Sequence, residues 1–358
     1  MVHKNLKDGL EQLGHTVILT SNGDYWKKIP GSDLPMTPNV SISNQKMRAV
    51  YDRFLQPYHI MLYYFRLCVK HRFDVIHIMS ADLFDYRHRK RIYRFFRFLS
   101  HNRLYVTIPG ADCYLYKAWK YGMFRYASFD DNPEQYQRFD ESNARSVTEN
   151  EAYRYTIEHA RILIPVNPYE TEIPFIAFQS LRKLIPLPIN TDSIKYADNT
   201  VNGKIIIYHG VSFPGNKGSD YILEAFDIIK EKYGNSVEIV TTHQLPYDEF
   251  IEKLKECNIY VDQCKSYNYG MSAIISMAMG KIVLSGNAPE IQASFNGHLC
   301  PIINITPDAR QIASELDKLI CAKETFKKIG LAGRTFVEEY HNCREIAKMY
   351  IKEWSKNR

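Results

Sequence analysis

The chain lacks the sequence features of several protein classes. Its seven cysteines include no Cys-x-x-Cys pair, so neither a disulfide framework nor a zinc site is indicated. No apolar run approaches the roughly 18 to 20 residues of a membrane span, and no apolar signal-peptide core follows Met1. Walker A and Gly-x-Gly-x-x-Gly motifs, sequence repeats and low-complexity tracts are also absent. We therefore expect a cytoplasmic protein that meets a membrane only at its surface.

The composition is that of a globular protein with unevenly placed charge. At 358 residues the chain is too long for one ordinary core, and the usual domain size predicts about two domains. Hydrophobic residues make up 45%, and the formal charge is +6 with a pI near 8.7. Much of the basic charge lies in the first 130 residues, and tyrosine is abundant, with 26 residues. This asymmetry needs an explanation in the first half of the chain.

The second half alternates between predicted strands and helices. The strands are Lys204–Tyr208, Val237–Thr241, Asn258–Asp262 and Ile282–Leu284. The helices are Ser219–Tyr233, Tyr247–Glu256, Ser272–Met279, Asp308–Ile320 and Arg344–Trp354. Such alternation predicts an α/β domain with a doubly wound parallel sheet.

The first half also reads as a parallel sheet, but it begins unusually. Three β-rich runs are Phe73–Ile78, Leu104–Ile108 and Ile162–Val166. A helix over Val2–Leu13 precedes a predicted strand at His15–Thr20, although such domains begin with a central strand. We therefore expect the first domain to lack its first strand.

Domain boundaries follow from a probable linker. The stretch 184–192 contains two prolines and no helical period, and polar residues follow it as far as Gly203. The predicted domains are residues 1–195 and 203–340, with 341–358 forming a helix that crosses back to the first domain.

The loop at 209–219 is the first candidate site. Its glycines allow a close backbone approach, Ser219 can cap the following helix, and Lys217 adds a cation near the helix N-terminus. Together these features suit a diphosphate, with Lys217 partly exposed. The alternative is a capped turn with a solvated lysine. His209, at the end of the preceding strand, is best read as a structural histidine.

A second loop, Tyr269-Gly270-Met271-Ser272, also opens a helix. Its N–H groups could hold a phosphate or a sugar hydroxyl, and Tyr269 could stack on a base or sugar ring. The alternative is a packed turn between strand and helix. Glu290 either accepts hydrogen bonds from sugar hydroxyls or simply begins a helix.

A basic, aromatic stretch at 87–99 falls on one predicted helix. Such a helix could lie on an anionic leaflet with Phe and Tyr inserted, which would bring a lipid-linked acceptor to the protein. A solvated basic face over a core stripe explains the pattern equally well. Nucleic-acid binding is not expected, because no recognised motif accompanies the charge.

Four motifs stand in the order found in one enzyme family. They are Gly110-Ala111-Asp112, Asn190-Thr191-Asp192, Lys217-Gly218, and Ala-Met-Gly-Lys-Ile-Val at 278–283. In these residues the chain resembles the retaining GT-B glycosyltransferases of the family-4 type, also called glycosyl transferases group 1. The resemblance implies two Rossmann-like domains facing a cleft, a nucleotide sugar bound by the second domain, and no metal or cofactor.

The chain also departs from that family. Tyr267 and Ile275 replace the two glutamates of its Glu-x7-Glu pair, and Pro109 stands where an acceptor-side histidine belongs. Ser212 or Phe213 occupies the neighbourhood of an arginine that helps to bind diphosphate.

In some of these departures the chain is similar to a subgroup of bacterial surface-polysaccharide glycosyltransferases. Its Asp-Gln-Cys, Tyr-x-Tyr-Gly-Met and Pro-Glu patterns are matched at 262–264, 267–271 and 289–290. That resemblance also implies a strand and a small-residue loop ahead of His3.

These observations combine into one functional hypothesis. We expect a metal-independent, retaining transfer of a sugar from a nucleotide sugar to a glycan or polyprenyl-linked acceptor in capsule or O-antigen synthesis. Asp112 is the candidate catalytic base or hydroxyl anchor, with helix capping as its alternative. The predicted donor-binding residues are Gly210, Lys217, Gly218, Ser219, His243, Tyr269, Gly270, Met271, Ser272 and Glu290. The other hypotheses are a non-catalytic sugar-nucleotide-binding or scaffolding homologue and a sugar-nucleotide epimerase.

Overall fold

Two parallel β-sheets organise the chain. The computed structural model describes residues 1–23, 25–29, 31–130, 133–212 and 215–356. The first sheet has three strands in the order β1-β2-β3, which are β1 (Ile76–Ile78), β2 (Leu104–Ile108) and β3 (Ile162–Pro165). Ile76 pairs with Leu104, and Tyr105 pairs with Ile162.

Six α-helices accompany the first sheet. They are α1 (Val2–Gln12), α2 (Gln45–Val50), α3 (Gln56–His71), α4 (Tyr86–Leu99), α5 (Cys113–Lys120) and α6 (Ala144–Glu158). A π-helical turn, Tyr51–Leu55, joins α2 to α3. Short 3-10 helices are Tyr25–Lys27, Pro133–Phe139, Ile173–Phe175 and Thr191–Ser193.

The second sheet has five strands in the order β5-β4-β6-β7-β8. These are β4 (Ile205–Val211), β5 (Val237–His243), β6 (Ile259–Val261), β7 (Ile282–Ser285) and β8 (Ile303–Asn304). The α-helices are α7 (Ser219–Tyr233), α8 (Tyr247–Glu256), α9 (Met271–Ala278), α10 (Ala309–Cys321), α11 (Phe326–Tyr340) and α12 (Cys343–Ser355). The 3-10 helices are Gly234–Ser236, Pro289–Phe295 and Lys323–Thr325.

Helices cover both faces of the second sheet. α7 and α10 pack on one face, where Ile222, Phe226 and Leu316 are buried with the strand residues. α8, α9 and α11 contribute to the core on the other face. The apolar spacing predicted α7 with its observed bounds, because its apolar residues recur every three or four positions and face the sheet.

The last helix, α12, packs against the first half of the chain. Ile346 and Tyr350 are buried with Leu6 of α1 and with residues of β2 and β3. Tyr105 donates a hydrogen bond to the carbonyl oxygen of Trp354 at 3.3 Å. Helix α12 therefore lies beside α1 and the first sheet.

The predicted strand at His15–Thr20 is wrong. Thr20 forms only an isolated parallel bridge with Leu34. The carbonyl oxygen of Leu19 accepts from the backbone N–H groups of Asp33 and Leu34, so the backbone bonds of this segment go to a neighbouring loop instead of the sheet. The stretch 184–192, predicted as a linker, is more buried than a linker would be. Leu184, Ile185, Leu187 and Ile189 all lie in the interior.

None of the helices within the described ranges combines the length and the apolar character that crossing a membrane requires.

Candidate functional site

The carboxyl edge of the second sheet brings two of the predicted loops together. β4 and β6 are neighbours, so the loops that follow Val211 and Val261 leave the sheet side by side. The first loop leads into α7 and the second into α9, with Gly218 and Gly270 as the N-caps. Neither helix has a side-chain cap. Their first-turn N–H groups therefore have no capping side chain, and uncapped helix N-termini attract anions.

Asp262, directly after β6, holds these loops in place. It is fully buried, and its Oδ1 accepts hydrogen bonds from Lys217 Nζ at 2.7 Å and from Ser272 Oγ at 2.7 Å. Its Oδ2 accepts one from Ser285 Oγ at 3.2 Å. One carboxylate therefore links the loop before α7, the first turn of α9 and the end of β7.

Lys217 is buried because its ammonium turns inward, so the expected partly exposed position is wrong. Lys217 Nζ also donates to the Gly210 carbonyl oxygen at 3.2 Å and to the Tyr260 hydroxyl at 3.3 Å. Burial alone would raise the pKa of Asp262. The Lys217 charge and the hydrogen bonds outweigh burial and hold that pKa below its usual value. Lys217 and Asp262 therefore form a buried ion pair.

His209 and Ser219 extend this buried network. His209 Nδ1 lies 2.8 Å from the Val261 carbonyl oxygen, and Nε2 lies 2.9 Å from Ser219 Oγ. Burial and the nearby Lys217 lower the pKa of His209 to about 4, so the neutral ring donates to the carbonyl and accepts from the hydroxyl. The structural interpretation of His209 is confirmed. The expected Ser219 cap is wrong, because Ser219 is the first helical residue and Gly218 is the N-cap.

Glycine is required at position 218 for two reasons. Its φ is +71°, in the left-handed region, and a Cβ atom there would lie 2.4 Å from Cys264 Sγ. Gly210 lies inside β4, where a Cβ atom would meet the Tyr208 hydroxyl at 3.1 Å. The loop before α7 therefore approaches the β6 loop closely at Gly218.

Tyr269 points away from this edge, into the core. It is 6% exposed, and its hydroxyl lies 2.9 Å from His341 Nε2. Its ring packs edge-on against Phe336 and tilted against Phe295. The expected stacking of Tyr269 on a base or sugar is therefore wrong for this conformation, and the packed-turn alternative holds.

Asp112 lies in the first half, where both of its carboxylate oxygens have partners. Oδ1 accepts from the backbone N–H groups of Tyr114 and Leu115, and Oδ2 accepts from the Tyr153 hydroxyl at 2.8 Å. Burial raises the pKa of Asp112 to about 6, against the effect of these hydrogen bonds. Asp112 is the N-cap of α5, which is its structural alternative, and its catalytic role stays a prediction.

Glu290 forms an ion pair with Arg125, which comes from the first half. Arg125 Nη2 lies 2.7 Å from Glu290 Oε1. The backbone N–H of Arg125 donates to the Tyr267 hydroxyl at 2.9 Å, and Tyr267 stacks on Tyr126 with ring centroids 5.0 Å apart. Tyr267 and Ile275, at the positions of the family's glutamates, are both buried in packing.

A carboxylate of the first half, that of Glu170, contacts the loop that contains Tyr267. Glu170 accepts hydrogen bonds from Ser266 Oγ at 2.8 Å, from the backbone N–H of Tyr267 at 3.2 Å and from Asn268 Nδ2 at 2.6 Å. Burial raises the pKa of Glu170, although the three donors favour its ionised form. Tyr136 adds a hydrogen bond to Asn216 Oδ1 at 2.7 Å. The two halves therefore meet over the loops that lead into α7 and α9.

Two predicted residues lie at the margin of this region. His243 is exposed at the end of β5, paired in register with Val211. Met271 begins α9 and is half-buried. The site therefore gathers Gly210, Lys217, Gly218, Ser219, Gly270 and Ser272 around Asp262. Phe213 lies outside the described residues.

Cavities occur elsewhere in the molecule. One of about 250 Å³ lies between the α2–α3 segment and the start of α4, and its lining includes Arg48, Asp52, Arg87 and His88. A space of about 10 Å³ lies beside Tyr269, enough for a single water molecule. In the part of the chain that the structure describes, no group of three or more His, Cys, Asp or Glu residues could hold a metal ion.

Helix α4 exposes the basic residues of the stretch 87–99 but only some of its aromatic residues. Tyr93 and Phe96 are in the core and cannot insert into a leaflet. The exposed positions carry Arg87, Lys90, Arg91, Arg94 and Phe98. The expected aromatic insertion is therefore wrong for these two residues, while the basic surface is present.

Comparisons with known proteins support the fold. No protein-family model matches the chain, and no curated protein matches it. Among solved structures, sucrose-phosphate synthase from Thermosynechococcus elongatus is 14% identical with a TM-score of 0.62, covering 98% of this chain and 91% of its own. A glycosyltransferase from Rickettsia africae is 13% identical with a TM-score of 0.56, covering 98% and 93%. UDP-GlcNAc 2-epimerase from Neisseria meningitidis, bound to UDP-GlcNAc, is 10% identical with a TM-score of 0.54, covering 99% and 98%. These likenesses show that the chain has the two-sheet GT-B fold.

Proposed function

We propose that this chain is a glycosyltransferase that moves a sugar from a nucleoside-diphosphate donor to a glycan or lipid-linked acceptor in bacterial surface-polysaccharide synthesis. The observation that carries the proposal is the pair of helix N-termini at Gly218 and Gly270, held side by side by Asp262. Two helix N-termini that follow adjacent strands can each bind one of two linked phosphates.

The proposed mechanism is a metal-independent, retaining transfer. Retention requires stabilisation of an oxocarbenium-like sugar and of the departing diphosphate. We assign the diphosphate to the N–H groups of α7 and α9 and to the ammonium of Lys217. That ammonium can exchange its 3.2 Å bond to the Gly210 carbonyl for a charge-assisted bond to a phosphate oxygen. The glycosyltransferase and the UDP-GlcNAc-bound epimerase among the structural neighbours support a nucleotide sugar as ligand.

Two alternatives have specific support. A non-catalytic sugar-nucleotide-binding or scaffolding role is favoured by the burial of Tyr267 and Ile275, because neither presents a carboxylate to a sugar. An epimerase is favoured by the likeness to UDP-GlcNAc 2-epimerase.

A panel of nucleotide sugars separates these functions. Thermal shift identifies the donor, and nucleotide release is then measured with and without candidate acceptors. Release that needs an acceptor supports the transferase. Tight binding without turnover would support the scaffold, and interconversion of UDP-GlcNAc with its 2-epimer would support the epimerase.

We also propose that the protein works in the cytoplasm at the inner face of the membrane. Such contact would bring it to a lipid-linked acceptor, and the basic surface of α4 supports an anionic leaflet as the partner.

A further inference from the structure

The segment from α2 to α3 carries a long apolar surface that the described residues leave uncovered. It is helical from Gln45 to His71, a run of 27 residues that includes the π-helical turn Tyr51–Leu55. Its exposed apolar side chains, each at least 46% exposed, are Met47, Val50, Phe54, Leu55, Tyr58, Leu62, Phe65 and Val69. Most recur every three or four positions, so they form one stripe along the helix, which we call the α3 stripe. Scattered apolar residues on a surface are ordinary, but a continuous stripe marks a binding face.

Basic residues surround the α3 stripe. Exposed cations on the same segment are Lys46, Arg53, Arg66, Lys70 and Arg72. The ranges 45–72 and 86–99 together contain twelve Lys and Arg residues against one acidic residue, Asp52. Long cationic side chains can rest their methylene groups on apolar surface while their charges reach outward.

Helix α4 lies alongside α3 and extends the charged surface. His88 Nε2 lies 2.7 Å from the Asp52 carbonyl oxygen, Arg91 Cζ lies 5.3 Å over the Tyr58 ring, and the Tyr64 and Phe96 rings are 4.8 Å apart. These contacts follow the same order along both helices, so α3 and α4 run side by side in the same direction. The exposed arginines of α4 therefore flank the α3 stripe.

We propose that the α3 stripe, flanked by the basic face of α4, docks on an anionic phospholipid bilayer. Apolar rings and aliphatic chains would enter the boundary between headgroups and acyl chains, while the cations meet lipid phosphates. A second copy of this chain is disfavoured, because a symmetric contact would bring this cationic surface against itself. The inference adds the apolar stripe of α3 to the basic surface of α4, which was proposed above as the membrane contact. Its test needs no enzymatic activity, so it can fail independently of the proposed transferase.

The test is flotation with phosphatidylcholine vesicles, with and without phosphatidylglycerol. We expect the protein to float with the anionic vesicles. The apolar variant Phe54→Ser/Leu62→Ser/Val69→Ser should lose binding by about tenfold or more for each large side chain. The charge variant Arg53→Gln/Arg66→Gln/Lys70→Gln should lose about fivefold per residue, and added salt should reproduce much of that loss.

Matched controls carry the same changes elsewhere. Ile176, Leu299 and Leu331 are exposed apolar residues of other segments, and Lys230, Lys255 and Lys318 are exposed lysines of the second half. Their triple Ser and Gln variants should float like the wild type. Because every changed residue is exposed, all variants should keep the circular dichroism spectrum of the wild type.

Three results would overturn the proposal. The first is a wild-type protein that stays unbound on anionic vesicles at low salt, and the second is an apolar variant that floats as well as its control. The third is a stable dimer in light scattering that the apolar variant converts to monomer, since the stripe would then be covered by a second copy.

Discussion

Replacing Lys217 tests both the architecture of the site and its ligand. Lys217→Ala would leave the carboxylate of Asp262 fully buried without its cation, since the side chains of the pair are only 11% and 1% exposed. Breaking a buried ion pair from one side typically costs about 3 to 5 kcal/mol. We therefore expect the free energy of unfolding in urea titrations to fall by about that amount. An exposed lysine would change it by less than about 0.5 kcal/mol.

A double variant with two neutral side chains separates the effect of an unpaired buried charge on stability from the effect of lost packing. In Lys217→Met/Asp262→Asn, no buried charge remains, and the asparagine oxygen can still accept from Ser272. Buried ion pairs replaced by neutral groups of similar volume often lose little stability. We expect the double variant to recover most of the stability lost by Lys217→Ala, which makes it more stable than Lys217→Ala by at least about 2 kcal/mol. Equal stability of Lys217→Ala and wild type would refute the buried ion pair.

The same variants decide how Lys217 acts on the ligand. A charge-assisted hydrogen bond to phosphate is worth about 1.5 to 3 kcal/mol, which is tenfold or more in affinity. If Lys217 contacts the diphosphate, both variants should bind UDP at least about tenfold more weakly by calorimetry, under conditions where both are folded. Wild-type affinity in the stable double variant would refute the direct contact and leave Lys217 only a positioning role.

Three further predictions test the remaining residues. Tyr269→Phe should lower the free energy of unfolding by about 1 to 3 kcal/mol, because buried His341 loses its partner, while UDP affinity by calorimetry stays unchanged. Asp112 has a pKa of about 6 when folded and about 4 when unfolded, so the stability from its proton is complete below about pH 4 and is lost as the pH rises through about 6. In urea titrations from about pH 4 to pH 7, the stability of wild type should therefore fall by up to about 3 kcal/mol relative to Asp112→Asn, and a constant difference would contradict the raised pKa. Glu290→Gln should change the free energy of unfolding by less than about 1 kcal/mol, because its ion pair is solvent-exposed, and should weaken nucleotide-sugar binding more than UDP binding.

The regular elements of the second half could be predicted because their patterns are strong. α7 and α8 have their predicted bounds, since apolar spacing and flanking residues mark both ends. The strand at His15–Thr20 failed because a short apolar run is also compatible with an extended loop, and only tertiary pairing decides between them. The α3 stripe could not be predicted for a related reason. Periodicity shows that a helix has an apolar face, whereas only the structure shows whether that face is covered.

The sequence indicated which two loops lie at the carboxyl edge of the second sheet, but it did not indicate where their side chains point. The glycines at 218 and 270 mark turns into helices, and such turns lie at the carboxyl edge of a parallel sheet wherever they occur. Side-chain direction is set by neighbours distant in sequence. Tyr269 meets His341, and Lys217 meets Asp262. Asp262 stood in the sequence as the first residue of the Asp-Gln-Cys pattern and as the end of a predicted strand, and neither feature indicated that its carboxylate would join the two loops.

The carboxylates of Asp262 and Glu290, each ion-paired with a cation, differ greatly in how easily they can change partners. Releasing Asp262 from Lys217 costs several kcal/mol because both groups are buried. Releasing Glu290 from Arg125 costs about 1 kcal/mol or less, since their side chains are 30% and 60% exposed. Because Tyr267 and Ile275 are used in packing, we predict that Glu290, rather than Asp262, is the carboxylate that the proposed sugar ligand would recruit. Because Arg125 belongs to the first half, that recruitment would couple sugar binding to the contact between the two halves.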